Sequence, residues 1–301
     1  MKHFSNQNIA VLAFQTTSWL GALTLLHRLE SLPLRALVLV YFCLMMQGVF
    51  SLMHDCIHGL GHHRKSMNYW MGAWTGVLFG TSYTLFEVNH HGHHVRNRTA
   101  PEIAEFVLPG ESRLRKTVVY YFAILGGIWW GSFLAMFVLP LVPYSLVRRL
   151  NKPGSSMNGY SLSFLSFSRE RWNRLRWESL LTLLMYAGVI WLLEFQFSTL
   201  LVAYGAFAFS WSSLQWVYHL RTPLDPIEGA YNLRSVTPVR WLFLNFNYNL
   251  THHRHPELHW QQLHDKTDLK ETQPSWYRYL MIFLPPEPLP ADLSVLEKRY
   301  F

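Results

Sequence analysis

Three short stretches of this chain place histidine at the spacings by which one helix face can grip a metal ion. His54-Asp55-Cys56-Ile57-His58 sets two imidazoles at i and i+4, one turn apart on the same side. His90-His91-Gly92-His93-His94 puts positions 90, 93 and 94 on one face and turns His91 about 100° away. Asn249-Leu250-Thr251-His252-His253 repeats the i, i+3, i+4 pattern with Asn in first place, and a single His219 follows an apolar run, four residues after Gln215. Imidazole is the commonest metal ligand at neutral pH, and polar groups at membrane depth are costly unless they serve a purpose. His3, His27, His259 and His264 fall outside the patterns and read as ordinary side chains. The pattern leaves His62, His63 and His255 open.

These groups offer more imidazoles than one ion can take, so two ions are the natural reading. A zinc hydrolase typically uses three protein ligands and an open position, which leaves imidazoles over, whereas iron and copper also accept imidazole. Soluble di-iron carboxylate bundles are built on Glu ligands with paired Glu-x-x-His motifs; histidine dominates the candidate set here. The two cysteines, Cys43 in an apolar run and Cys56 between histidines, exclude a Cys-rich zinc site and argue against a structural disulfide.

The elements that must position these side chains read as membrane helices. Half of the 301 residues are apolar, 16% are aromatic and 15% are charged, against about 25% charged in soluble domains. Runs near the roughly 20 residues a span needs occur at Ile9–Leu26, Leu34–Met53, Leu180–Leu193 and Phe197–Tyr218. The first is read as a retained span rather than a removed signal peptide. Met67–Phe86 and Val118–Val142 are also apolar but carry Gly72, Gly76 and Gly80, and Gly126, Gly127 and Pro140. The net charge of +8 has no aromatic-interleaved basic run that would suit nucleic acid. Instead Arg148, Arg149, Lys152, Arg169, Arg171, Arg174 and Arg176 crowd one loop against Glu170 and Glu178, and more arginines flank the histidines. Positive-inside bias places all of these in the cytoplasm. Parity then keeps Met67–Phe86 and Val118–Val142 from crossing; each dips in and returns, or lies at the interface, where buried in protein. The expectation is an all-α integral membrane protein, one domain over residues 1–301, with about four transmembrane helices, re-entrant or interfacial helices and a cytoplasmic histidine-rich cap. There is no internal repeat and no low-complexity segment.

HDCIHGLGHHRKSMNYWMG, SYTLFEVNHHGHHVRNRTAPE and NFNYNLTHHRHPELHWQQL, in that order, resemble the three histidine boxes of the membrane fatty acid desaturase and hydroxylase superfamily. QWVYHLRTP resembles the extra histidine at the end of that superfamily's last span, so the match covers most of the chain. The resemblance implies a cap holding two non-haem irons, with dioxygen as co-substrate and a tunnel for an acyl or isoprenoid chain. Carried over position by position, the ligands are His54, His58, His90, His93, His94, His219, His252 and His253. Asp55 is read as an outer partner that orients a ligand ring. Two positions depart from the family pattern. Asn249 stands where the third box usually opens with His or Gln, which makes it a weak or water-mediated ligand. Phe86-Glu87 replaces the usual Trp-Arg before the second box.

Unactivated C–H bonds do not yield to acid–base chemistry, so a redox metal with dioxygen must supply the oxidant. The expected reaction is desaturation of a fatty acyl chain. The alternative is a hydroxylase or ketolase of a carotenoid, alkane or other lipid, since Ala230-Tyr231-Asn232-Leu233-Arg234 and the HHRHP ending also resemble carotenoid ketolases. A membrane zinc hydrolase is a distant third. With no haem-binding His-Pro-Gly-Gly module in the chain, electrons are expected from an external ferredoxin, rubredoxin or b-type cytochrome. Arg96, Arg98, Arg221, Arg240 and Arg254 near the boxes read as a docking face for an acidic carrier. The absent haem module and short termini point to a bacterial inner membrane.

Overall fold

Apolar runs near 20 residues long become the long helices of the computed structural model, which describes residues 2–150 and 166–300. These helices are α1 (Lys2–Arg28), α2 (Leu32–Ile57), α8 (Arg169–Leu193) and α9 (Phe197–His219). Pro33 opens α2 where a missing N–H costs nothing. Each helix is long and apolar enough to cross a membrane, and large apolar side chains such as Leu37, Leu184, Trp191 and Leu201 are left exposed. α1 and α9 both pack on α2. The described chain is otherwise helical apart from two short parallel strand pairs, β1 (Phe106–Val107) with β4 (Glu287–Pro288) and β2 (Leu233–Arg234) with β3 (Gln273–Pro274). The fold is all-α and the chain is a membrane protein.

Met67–Phe86 divides into two helices. α3 (Lys65–Phe79) has 15 residues, about 22 Å of rise, which falls short of a roughly 30 Å hydrocarbon core. Gly80 ends it in the left-handed region at φ 85°, a conformation that suits glycine. α4 (Tyr83–Arg96) then carries the second histidine group back. The segment is thus two short helices joined through Gly80 rather than one long one.

A fifth helix passes the same length and hydropathy test, Arg113–Leu141. It comprises α5 (Arg113–Phe122), a π segment Ala123–Gly127 and α6 (Ile128–Val138), with a break at Gly126, φ 120°. Its two ends lie on the histidine-bearing half. Tyr120 and Tyr121 donate to the Ile282 and Phe283 carbonyls, whereas Leu139 and Val142 pack with Leu85 and Val88 of α4. Gly126 between them approaches Ala208 in mid-α9. Length and hydropathy make this run a fifth candidate span, and the break at Gly126 divides it in two. α7 (Tyr144–Leu150) follows, and Lys152 lies outside the described residues.

The start of α4 is fixed by one buried carboxylate. Glu178 of α8 accepts from Ser82 Oγ at 2.6 Å, Thr84 N at 2.8 Å, Thr84 Oγ1 at 2.7 Å and Tyr69 OH at 2.9 Å. A negative group at a helix N-terminus is favoured by the exposed N–H groups there, and Ser82 also caps the helix.

If Arg113–Leu141 returns to its side of entry, cysteines placed at Ser112 and Tyr144 will react with an impermeant maleimide from the same side. Labelling from opposite sides would make this segment a fifth crossing.

Candidate metal centre

Eight histidines converge where α2, α4, α9 and α11 (Asn249–Arg254) meet. They form two groups, each with ligand-capable atoms within 4.8 Å of one another: His54, His58, His90, His94 and His252 in one, His93, His219 and His253 in the other. Every histidine singled out as a ligand by the sequence falls in one of the two. His91 stays outside, as its angle on α4 requires. Among the described residues neither group contains a carboxylate or a thiol.

In the five-histidine group the Nε2 atoms face each other. His90 Nε2 lies 2.9 Å from both His58 Nε2 and His94 Nε2, and His94 Nε2 lies 3.1 Å from His252 Nε2. Ligand nitrogens about 2.0–2.1 Å from a shared ion and at right angles to each other are about 3 Å apart, so these spacings suit a coordination shell. His54 is buried with neither nitrogen hydrogen-bonded, a costly state for an imidazole that a metal bond would resolve.

The three-histidine group is held from outside. His93 Nδ1 donates to Glu102 Oε2 at 2.8 Å, His219 Nδ1 to the Gly229 carbonyl at 2.9 Å and His253 Nδ1 to the Pro226 carbonyl at 3.3 Å. With the proton on Nδ1, each Nε2 keeps its lone pair for a metal. Sequence spacing did not reveal these partners. Two are backbone carbonyls, which leave no signature, and Glu102 lies beyond the end of α4 in a 3-10 turn.

Asp55 is buried at the end of α2, 4.0 Å from His54 Nδ1, beyond hydrogen-bond reach. Its carboxylate accepts the Trp260 N–H at 3.3 Å and lies 3.8 Å from His259. Asn249 opens α11 and is buried, with its Oδ1 unpartnered. His259 caps α12 (Trp260–Lys266) and His264 contacts Arg240 and Tyr248. Both have the structural roles expected of them.

Burial removes two arginines, Arg98 and Arg221, from the expected basic docking face, while Arg254 stays exposed. Arg98 and Arg221 are only 4% and 2% exposed and pair with Glu105 and Glu287. Arg254 is bound by Glu228 and Glu271, and Arg240 by His264. The Arg98 and Arg221 charges are thus matched inside the protein, whereas the Arg254 pairs lie on its surface.

A family profile described as fatty acid desaturase matches residues 31–284, a range that contains all eight histidines. The chain belongs to the fatty acid desaturase family. No curated protein matches it, so the family assignment comes without a named relative to supply a substrate. Within this family the two histidine groups are sites able to hold metal ions.

Burial, reinforced by neighbouring imidazoles, keeps these side chains neutral. It pushes His58 down to about 4 and His94 down to about 3, and lowers His90, His252 and His253 well below the ordinary imidazole range. In the unfolded chain these imidazoles take up protons below about 6.5. The folded chain cannot follow until far lower pH. The metal-free protein should therefore be most stable above pH 6.5 and lose stability steadily towards pH 4. Thermal unfolding of apo-protein in detergent across this range will show the slope, and a flat profile would contradict it.

Asn249→Leu should weaken metal retention against a chelator, because the buried amide loses every polar contact it offers. Asn249→His should preserve retention. Equal metal content in both variants and the wild type would place Asn249 outside the centre.

Proposed function

We propose that the protein oxidises an unactivated C–H bond of a lipid with dioxygen, most simply by desaturating a fatty acyl chain, at two irons held by the eight histidines. The observation that carries this reading is the pairing of two adjoining all-histidine groups with an apolar floor. Phe246 and Phe50 lie 4.8 and 6.3 Å from the His54 ring, centroid to centroid. Phe79, Phe86 and Trp211 pack behind Phe50 at 5.2–6.0 Å. Such a wall suits a hydrocarbon and offers no polar group for hydrolysis.

A groove of about 320 Å³ supports a lipid substrate. Phe14 and Gln15 of α1, Met45 of α2, Leu242, Leu244 and Trp260 line part of it. None of the eight histidines lines it, and two of these residues neighbour groups beside His54. Trp260 donates its N–H to Asp55, next to His54, and Leu244 lies two residues before Phe246.

The reaction balances as a –CH2–CH2– unit, dioxygen, two electrons and two protons giving –CH=CH– and two waters. Bound iron would supply the dioxygen reduction. The chain's own residues hold the Nε2 lone pairs in place, exclude water with the aromatic floor and orient the acyl chain. The electrons come from a separate carrier protein, and the histidine-bearing half faces the cytoplasm, as the basic loops favour.

Expression in a host fed deuterium-labelled fatty acids, with mass spectrometry of the lipids, tests the reading. The expected product lacks two hydrogens and forms only with dioxygen. His94→Ala should reduce it more than the roughly 10–100-fold that loss of an outer partner costs. A product gaining one oxygen would assign hydroxylation on the same centre. Full activity in a zinc-loaded anaerobic protein would overturn the oxidase reading.

A further inference from the structure

Arg96, Asn97 and Arg98 end and follow α4, the helix bearing His90, His93 and His94. Arg96 Nε lies 3.3 Å from Glu102 Oε1, whose other oxygen accepts from His93. Arg98 reaches the Thr222 and Pro223 carbonyls and Glu105, just beyond His219. Between them Asn97 is buried. Its Nδ2 donates to the Pro226 carbonyl at 3.1 Å and the Gly229 carbonyl at 3.0 Å. These are the same two carbonyls that accept Nδ1–H from His253 and His219.

The loop carrying those carbonyls is closely packed. Asp225 Oδ1 accepts the N–H groups of Ile227 and Glu228, each at 2.8 Å. A Cβ on Gly229 would fall 2.2 Å from Arg98 Cγ and 2.3 Å from the Asp225 carbonyl, so only glycine fits. The Asn97 N–H donates to the His93 carbonyl at 2.7 Å, tying the amide to the third histidine's own helix.

We propose that Asn97 is a positioning residue for the three-histidine group alone. A carboxamide nitrogen carries two N–H donors, one for each carbonyl. Through them one side chain fixes the loop that orients both His219 and His253 and sets them against His93 on the adjoining helix. The five-histidine group takes no partner from this loop. The proposal rests on the reading that the histidines hold metal.

Asparagine and aspartate have the same shape, but a carboxylate has no N–H and would meet two carbonyl oxygens. Asn97→Asp is therefore the informative variant, with Asn97→Ser, which keeps one donor, beside it. The full chain, purified in detergent, is loaded anaerobically with enriched ferrous iron, competed with a chelator and read by iron content and Mössbauer spectroscopy. The wild type should hold two irons. Asn97→Asp should lose affinity at one site by roughly 10–100-fold and retain one iron, with the other site's signal unchanged. Asn97→Ser should lose less. Two irons with unaltered spectra in Asn97→Asp would overturn the role of Asn97 alone. Equal loss from both sites in both variants would also overturn it, by making the residue a general support. A wild-type chain that binds no iron would overturn the metal reading and the role of Asn97 together.

Discussion

Consecutive residues on an α-helix point about 100° apart, and the histidine centre is organised by that constraint. His93 and His94 cannot serve one ion from one side, nor can His252 and His253. Each pair is split, with His94 and His252 in the five-histidine group and His93 and His253 in the three-histidine group. The separation of the groups is thus set by helix geometry, with ring centroids 6.0 Å apart in the first pair and 5.9 Å in the second. The rest of the fold holds α4 and α11 at the angle this needs. Glu178 fixes the start of α4, and the ends of α2 and α9 bring His54, His58 and His219 to meet it.

The histidine groups were legible because helical periodicity is local. Positions 54 and 58, or 90 and 94, are one turn apart on one face whatever the remainder of the chain does. The glycine breaks in Met67–Phe86 and Val118–Val142 were legible for the same reason, since Gly80 and Gly126 adopt the positive φ values that end or bend a helix. The long helices α1, α2, α8 and α9 follow from composition and length.

What the sequence hid is the pairing of charges and polar groups over distance. Glu178 reads as one acid in a basic loop, yet it is buried on the N-terminus of α4, 94 residues away in sequence at Thr84. Arg221 reads as an exposed cation, but its partner Glu287 lies 66 residues on. Burial of such a pair is worthwhile only when both charges are matched, and the match exists only in three dimensions. The outer partners of the three-histidine group are hidden more deeply, because a carbonyl is common to every residue.

The order of the boxes along the chain also governs when the centre can form. Each group draws on α11: His252 completes the five-histidine group and His253 the three-histidine group. A ribosome delivers these residues after every membrane helix has emerged, so the bilayer receives its spans while both groups are still incomplete. Any metal that needs all the histidines of either group would then be captured last, by a chain already lodged in lipid.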